Sequence, residues 1–285
     1  MFDPVLLRTF LAVAETGSFT AAGLRLGLSQ PTVSQHVARL ERAAGRRLVL
    51  RDTRRCRSTD DGDAMAGFAR SILAAHAEAE SWFSGAAARG RLRFGAADDL
   101  AVTQLPRILR HFRRLHPDID LELTVSQNGP LRRRLSAGHL DLIFVKQAAG
   151  ESAEGTRVAT DQMVWMAQDG IALEAGEPVP LIAYQAPSIS RQMAIDALES
   201  VGRTWRITCN TRDVNGVLAA VRAGIGVAVF PHSLIPADLV KVSQRLSLPD
   251  LPAVDYVLIA NPTVQREPID ALTSAILSRG VVRAV

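Results

Sequence analysis

Apolar positions in the first sixty residues follow a helical rhythm that is interrupted twice and then gives way to a short extended stretch. From Pro4 to Glu15, Val5, Leu6, Phe10, Leu11 and Val13-Ala14 recur at a spacing close to 3.6. That spacing predicts an amphipathic helix with Asp3 as its cap and Pro4 in its first turn. Thr16-Gly17-Ser18 ends it and starts a short second helix, Phe19–Leu26, capped by Ser18; Gly27 then supplies the left-handed residue of a tight turn. A third helix begins at Ser29 or Gln30, carries Pro31 in its first turn and buries Val33, Val37, Leu40 and Ala44. Leu48-Val49-Leu50 and Cys56–Thr59 predict a two-stranded ribbon with Asp52-Thr53-Arg54-Arg55 at its tip.

Asp60-Asp61-Gly62-Asp63 caps a long helical segment, Ala64–Arg89, with Met65, Phe68, Ile72-Leu73, Ala75, Ala79 and Trp82-Phe83 at its apolar positions. Its length of about 25 residues corresponds to roughly 38 Å. A helix this long outside a domain buries its stripe against a partner, the other reading being a helix folded onto its own chain. The pattern beyond it alternates strands and helices: Arg91–Gly95, then helix Leu100–His116, strand Ile119–Val125, helix Leu131–Ala137 and strand Leu140–Val145. A second unit follows, with strands near Met163–Ala167 and Leu181–Tyr184, helix Ile189–Ser200, strand Trp205–Cys209, helix Asp213–Ala223 and a buried strand Val227–Phe230. A strand near Asp255–Ile259 and a helix Glu267–Arg279 close the chain. This rhythm predicts an α/β fold with parallel sheet covered by helices.

The length of 285 residues and the 47% hydrophobic content suit two or three domains with sizeable cores. No apolar run approaches the ~20 residues of a membrane span, and Met1-Phe2-Asp3 opens no signal peptide, so no membrane partner is expected. Cys56 and Cys209 stand apart and suggest ordinary thiols in a reducing cytoplasm. Charge is concentrated at one end. Residues 1–60 hold ten arginines against five acids, a balance of +5, while the remainder comes to −1. A basic head on a near-neutral body points to polyanion binding. The third helix turns Thr32, Ser34, Gln35, Arg39 and Arg42 away from its valines, the selection suited to base edges in a major groove; a solvated surface face is the alternative. Seven arginines between 42 and 57 face the single acid Asp52 and suit phosphates or an adjacent minor groove. Together these pieces predict an N-terminal winged helix-turn-helix.

The run Phe10-Leu11-Ala12-Val13-Ala14-Glu15-Thr16-Gly17-Ser18-Phe19-Thr20-Ala21-Ala22 resembles the LysR-type transcriptional regulators. So do Leu26-Gly27-Leu28-Ser29-Gln30-Pro31-Thr32-Val33-Ser34-Gln35-His36-Val37, Leu40-Glu41 and Leu48-Val49-Leu50-Arg51. Weaker marks continue in order: Leu105-Pro106, Arg113-Arg114-Leu115-His116-Pro117, Gly138-His139-Leu140-Asp141-Leu142-Ile143, and Val221-Arg222-Ala223-Gly224-Ile225-Gly226-Val227 with Pro231. The resemblance implies a DNA-binding domain over 1–59, a linker and dimerisation helix over 60–89, and an effector-binding domain over 90–285 resembling two-lobed periplasmic binding proteins. Lobe I would take about 90–146 and 265–285, lobe II about 147–264, with crossovers near Lys146–Gly150 and Asn261–Gln265. It further implies a homodimer through the linker helix, a homotetramer, bent double-stranded promoter DNA and contact with RNA polymerase. Ser29, Gln30, Pro31, Thr32, Ser34, Gln35 and Arg39 would meet bases or adjacent phosphates, and Ser18, Arg54, Arg55 and Arg57 the backbone or minor groove.

Ligands of open α/β sheets bind at the carboxyl ends of strands, where helix N-termini converge. Applied here, that rule lines a cleft with Asp98-Asp99-Leu100, Ser126-Gln127-Asn128, Phe144 to Lys146, Ser188 to Ser190, and Cys209 to Thr211. Asp98-Asp99 stands where many members of the family carry Ser or Thr, and is similar to the LrhA-like subgroup. Two adjacent acids repel an anion, which predicts a neutral or cationic small-molecule effector; an acid that merely caps the next helix is the other reading. No Gly-x-Ser-x-Gly elbow, phosphate loop or paired-histidine metal motif occurs, so neither enzyme activity nor a cofactor is expected. The competing function is a small-molecule-binding or transport-related α/β protein whose basic module contacts protein or RNA.

Overall fold

The computed structural model describes residues 2–51, 56–84, 90–150, 155–174, 176–264 and 266–278. The chain forms two compact units: residues 1–87 with the end of the last helix, from Ser274, and a second from residue 88 to 273.

The first unit holds α1 (Pro4–Thr16), α2 (Phe19–Leu26), α3 (Gln30–Ala44), the ribbon β1 (Val49–Arg51) and β2 (Cys56–Ser58), and α4 (Asp60–Ser84). Each of the first three helices starts at a capping oxygen: Asp3 accepts from Val5 N, Ser18 from Ala21 N and Ser29 from Thr32 N. Each ends at a left-handed glycine, Gly17, Gly27 or Gly45. Leu7, Phe10 and Val13 of α1 pack in one buried cluster with Val33, Val37 and Leu40 of α3 and Met65, Ala66 and Ala69 of α4. Each large side chain so buried contributes roughly 1.5–3 kcal/mol. The long helix starts at Asp60, so the four residues expected to cap it form its first turn instead. Three acids there suit the positive end of the helix dipole.

The second unit opens with β3 (Gly90–Ala97), α5 (Asp98–Thr103), α6 (Leu105–Leu115), β4 (Ile119–Ser126), α7 (Asn128–Ser136) and β5 (Leu142–Ala148). The single helix expected over Leu100–His116 is two helices. Pro106 has no amide to offer the Val102 carbonyl, so the ladder stops and α6 restarts with Pro106 in its first turn. β3 lies between β4 and β5 and is parallel to both. Asp141 locks this arrangement by accepting from Arg93 N at 2.8 Å and pairing with the Arg93 guanidinium.

The chain then runs through β6 (Thr156–Ala167), β7 (Val179–Tyr184), α8 (Ile189–Ser200), β8 (Trp205–Thr211), α9 (Val214–Arg222), β9 (Ala228–Pro231), β10 (Val240–Lys241), β11 (Ala253–Ala260) and α10 (Arg266–Ser278). β7 and β8 are parallel, whereas β9 and β10 pair antiparallel with β6. β11 pairs antiparallel with both β5 and β6 and so stitches the two lobes into one sheet. The return to the first lobe runs along this strand, which ends at Ala260, just before the crossover expected near Asn261–Gln265. β5 is buried from Leu142 to Gln147, as befits a strand covered on both faces. No described helix is long and apolar enough to cross a membrane.

Two glycines of α4 give a matched test of the first unit. A Cβ on Gly62 would stand 2.0 Å from the Leu48 carbonyl oxygen, whereas one on Gly67 meets nothing within 4 Å. Gly62→Ala is expected to lower the unfolding free energy by about 2–4 kcal/mol, because helix and ribbon must part. Gly67→Ala is expected to be neutral or to stabilise by up to about 1 kcal/mol. Urea denaturation of both variants measures the difference.

Candidate functional site

The first candidate surface is the polar side of α3. Ser29, Gln30, Pro31, Gln35, Arg39 and Arg42 are exposed, Thr32 and Ser34 are half-buried, and Val33, Val37 and Leu40 face the interior. The row therefore stands outward from the first turn onward. Ser29 Oγ lies 2.7 Å from Thr32 Oγ1, so part of that row is spent on capping the helix. The Thr9 hydroxyl and His36 Nδ1, 2.9 Å apart, tie α3 to α1. Glu41 accepts from the Leu48 and Val49 amides at 2.9 and 3.2 Å, which anchors the ribbon beside the helix. Ser18 caps α2 and Arg57 is exposed on β2. Arg54 and Arg55 lie outside the described residues.

The second candidate is a pocket between the lobes of the second unit, lined by Ala97, Asp98, Gln127, Asn128, Gly129, Lys146, Tyr184, Pro187, Ser188, Ile189 and Ser190. Its empty volume is about 360 Å³ counted out to the mouth. Asp98 is the first residue of α5, and its carboxylate accepts from Asp99 N at 3.1 Å and from Val214 N at 2.8 Å. The second bond crosses to the start of α9 in the other lobe. Gln127 makes a parallel crossing by donating from Nε2 to the Arg212 carbonyl at 2.8 Å. Asp99 is fully buried and pairs with the Lys146 ammonium. Asn128 holds that lysine's backbone, donating to its carbonyl at 2.8 Å and accepting from its amide at 3.3 Å.

Burial, and then the neighbouring Asp99 charge, push the Asp98 carboxyl up to about 6, against the opposing pull of Lys146 and two backbone amides. Tyr184 is displaced well above the ordinary phenol value, first by burial and then by Asp98, Asp99 and Asp213. Its hydroxyl is buried beside Asp98, toward which it is directed as a donor. Among the described residues no three His, Cys, Asp or Glu side chains gather as a metal site.

A family model described as "Bacterial regulatory helix-turn-helix protein, lysR family" matches residues 5–63, and the "LysR substrate binding domain" model matches residues 85–279. The chain belongs to the LysR family. The transcriptional regulator PecT of Dickeya dadantii is 32% identical over 97% of this chain and 87% of its own length. The regulator DgdR of Burkholderia cepacia is 32% identical over 89% of this chain and 86% of its own. Among solved structures, CrgA of Neisseria meningitidis, titled a LysR-type transcriptional regulator, matches with a TM-score of 0.69 at 20% identity, over 99% of this chain and 98% of its own, and so supports the shared fold.

As a LysR-type regulator, the chain is a DNA-binding transcription factor with a winged helix-turn-helix head and a periplasmic-binding-protein-like effector domain. LysR regulators bind promoter DNA and small-molecule effectors and form oligomers. Seven of the residues expected in the cleft of this LysR effector domain do come together there: Asp98, Gln127, Asn128, Lys146, Ser188, Ile189 and Ser190. Eight others, Val145 and Asn210 among them, do not line the pocket. Leu100 and Phe144 are fully buried, with Phe144 tilted against Tyr256 at 6.0 Å between centroids. Asp99 turns inward to Lys146, and Ser126, Cys209 and Thr211 lie off the wall. Strand-end position alone does not say which side chain faces the opening. Tyr184, Pro187, Gly129 and Ala97 were missed; the one legible signal was Tyr184 at the carboxyl end of a predicted strand.

Between the ordinary 3.8 and about 6, the folded chain holds an Asp98 proton that the unfolded chain has released. Stability therefore falls as pH rises through that window. From pH 4.5 to 7 the wild type is expected to lose about 2 kcal/mol relative to Asp98→Asn, which does not titrate. Denaturation of both proteins at the two pH values checks this.

Proposed function

We propose that α3 reads promoter bases from the major groove, and that occupancy of the interlobe pocket is transmitted to the DNA through the oligomer. The observation that carries this reading is the exposed Gln30, Gln35 and Arg39 row opposite the buried Val33, Val37 and Leu40. Helix N-terminal residues of that kind meet base edges in the docking typical of helix-turn-helix proteins. Ser29, Pro31, Thr32 and Ser34 complete the contact, while Ser18, Arg54, Arg55 and Arg57 hold the backbone or the adjacent minor groove.

Dimerisation through α4 is supported by Phe68, 66% exposed, and Ile72, 37% exposed, which stand one helical turn apart. Pairs of such dimers would form the tetramer whose heads bend an extended promoter, at an elastic cost of order 1–6 kcal/mol that the contacts offset. An effector in the pocket shifts the favoured bend only through different affinities for the two forms. Regulation would take place in the cytoplasm, in contact with RNA polymerase and without catalysis by the regulator.

A gel-shift titration on the promoter beside its own coding sequence tests the DNA reading. Gln30→Ala and Arg39→Ala should each weaken specific binding by tenfold or more, and affinity should fall steeply with salt. Unchanged affinity in both variants would remove the assignment of α3. For the dimer, Phe68→Asp is expected to shift the sedimentation profile toward smaller species while leaving the circular dichroism of the fold intact.

A further inference from the structure

We propose that the interlobe pocket takes a small zwitterion, an α-amino acid, with its ammonium on Asp98 and Tyr184 and its carboxylate on the amide ends of α7 and α8. The proposal rests on the pocket being the effector site and goes on to name the class of effector.

The charges at the pocket have been sorted by the fold. The Lys146 ammonium is committed to Asp99, and both are buried, so that pair is internally neutral. Asp98 is the acid left over among the residues lining the wall. A carboxylate offers about four acceptor sites, and Asp98 spends two of them on the Asp99 and Val214 amides. Beside it stands the buried Tyr184 hydroxyl, whose proton is directed at Asp98 and whose oxygen can still accept one N–H from an ammonium. A cation placed there meets acceptor capacity on both side chains at once.

The rest of the lining carries the other sign of charge. Ser188 caps α8 by accepting from Arg191 N, leaving the Ile189 and Ser190 amides with no carbonyl one turn earlier. At α7 no side chain caps the helix, since Gln127 gives its amide group to Arg212 and Asn128 is engaged with Lys146. Amides at helix starts favour an anion. A dicarboxylate would put one charge against Asp98, and a plain amine would leave the helix ends unused. An amino acid satisfies both ends.

Protonation of Asp98 removes the cation site. The groups facing it are Asp99, Lys146 on β5 and Tyr184 on β7, with Asp213 beyond the tyrosine and Arg191 donating to the Tyr184 carbonyl. With the carboxyl titrating at about 6, affinity should drop about tenfold from pH 7 to pH 5.

The test is isothermal titration calorimetry of the full chain with the L-α-amino acids. The best binder is then compared with its deaminated acid and its decarboxylated amine. At least one amino acid should bind, and loss of either end should weaken it tenfold or more. In Asp98→Asn the amino acid and its deaminated acid should bind alike, and Tyr184→Phe, which keeps the ring, should weaken the amino acid severalfold at pH 7. No binding by any amino acid, equal binding of the deaminated acid to the wild type, or full affinity in both variants would overturn the proposal. Gly129→Trp, whose Cβ at the pocket wall would stand in ordinary contact with the Arg133 side chain at 3.5 Å, separates this failure from that of the pocket reading. A simple carboxylate or amine that binds the wild type but not Gly129→Trp overturns the zwitterion and retains the pocket as effector site. Binding that Gly129→Trp leaves intact overturns both.

Discussion

The seal between α1 and α3 sets what the first unit can do. Val33, Val37 and Leu40 are almost wholly removed from water against Leu7, Phe10 and Val13, and a helix held by one face has no freedom to rotate about its axis. The polar residues between those valines are therefore aimed outward by the same burial that stabilises the head. Ser29, Glu41 and the Thr9–His36 contact then fix the start of the helix, its distance from the ribbon and its tilt on α1. A polar row built this way is ordered by the fold itself, which lowers the ordering cost of any binding to it.

The second unit depends on a different constraint. Two lobes share β11, yet their facing walls are joined by few polar contacts, chiefly Asp98 to Val214 and Gln127 to Arg212. Both originate at starts of lobe I helices and end at the start of α9. A ligand wedged among the same helix starts competes with, or reinforces, those bonds directly. The carboxylate pair, read from sequence as a source of anion repulsion, behaves as two separate devices. Asp99 is neutralised inward by Lys146, while Asp98 faces the pocket and spans the lobes.

The first unit was almost fully legible in the sequence because its information is local. Caps, left-handed glycines and a period of valines are each written within a few residues, and Ile189–Ser200 in the second unit was equally plain for the same reason. The sequence reading put Pro106 near the start of the main body of one helix, which is where α6 begins; the full break from α5 follows from the i to i−4 amide bookkeeping.

The sequence by itself determined the α/β rhythm, the basic head, the outward row of α3 and the strand ends where a ligand belongs, since these follow from period, propensity and charge. Only the tertiary structure decided that Lys146 meets Asp99 across 47 residues, that Asp98 reaches Val214 across 116, and that Tyr184 rather than Phe144 or Cys209 faces the opening. The physical reason is that a charge's partner, and with it the charge a ligand meets, is set by which distant segments a fold brings within hydrogen-bond reach. No local pattern encodes that distance.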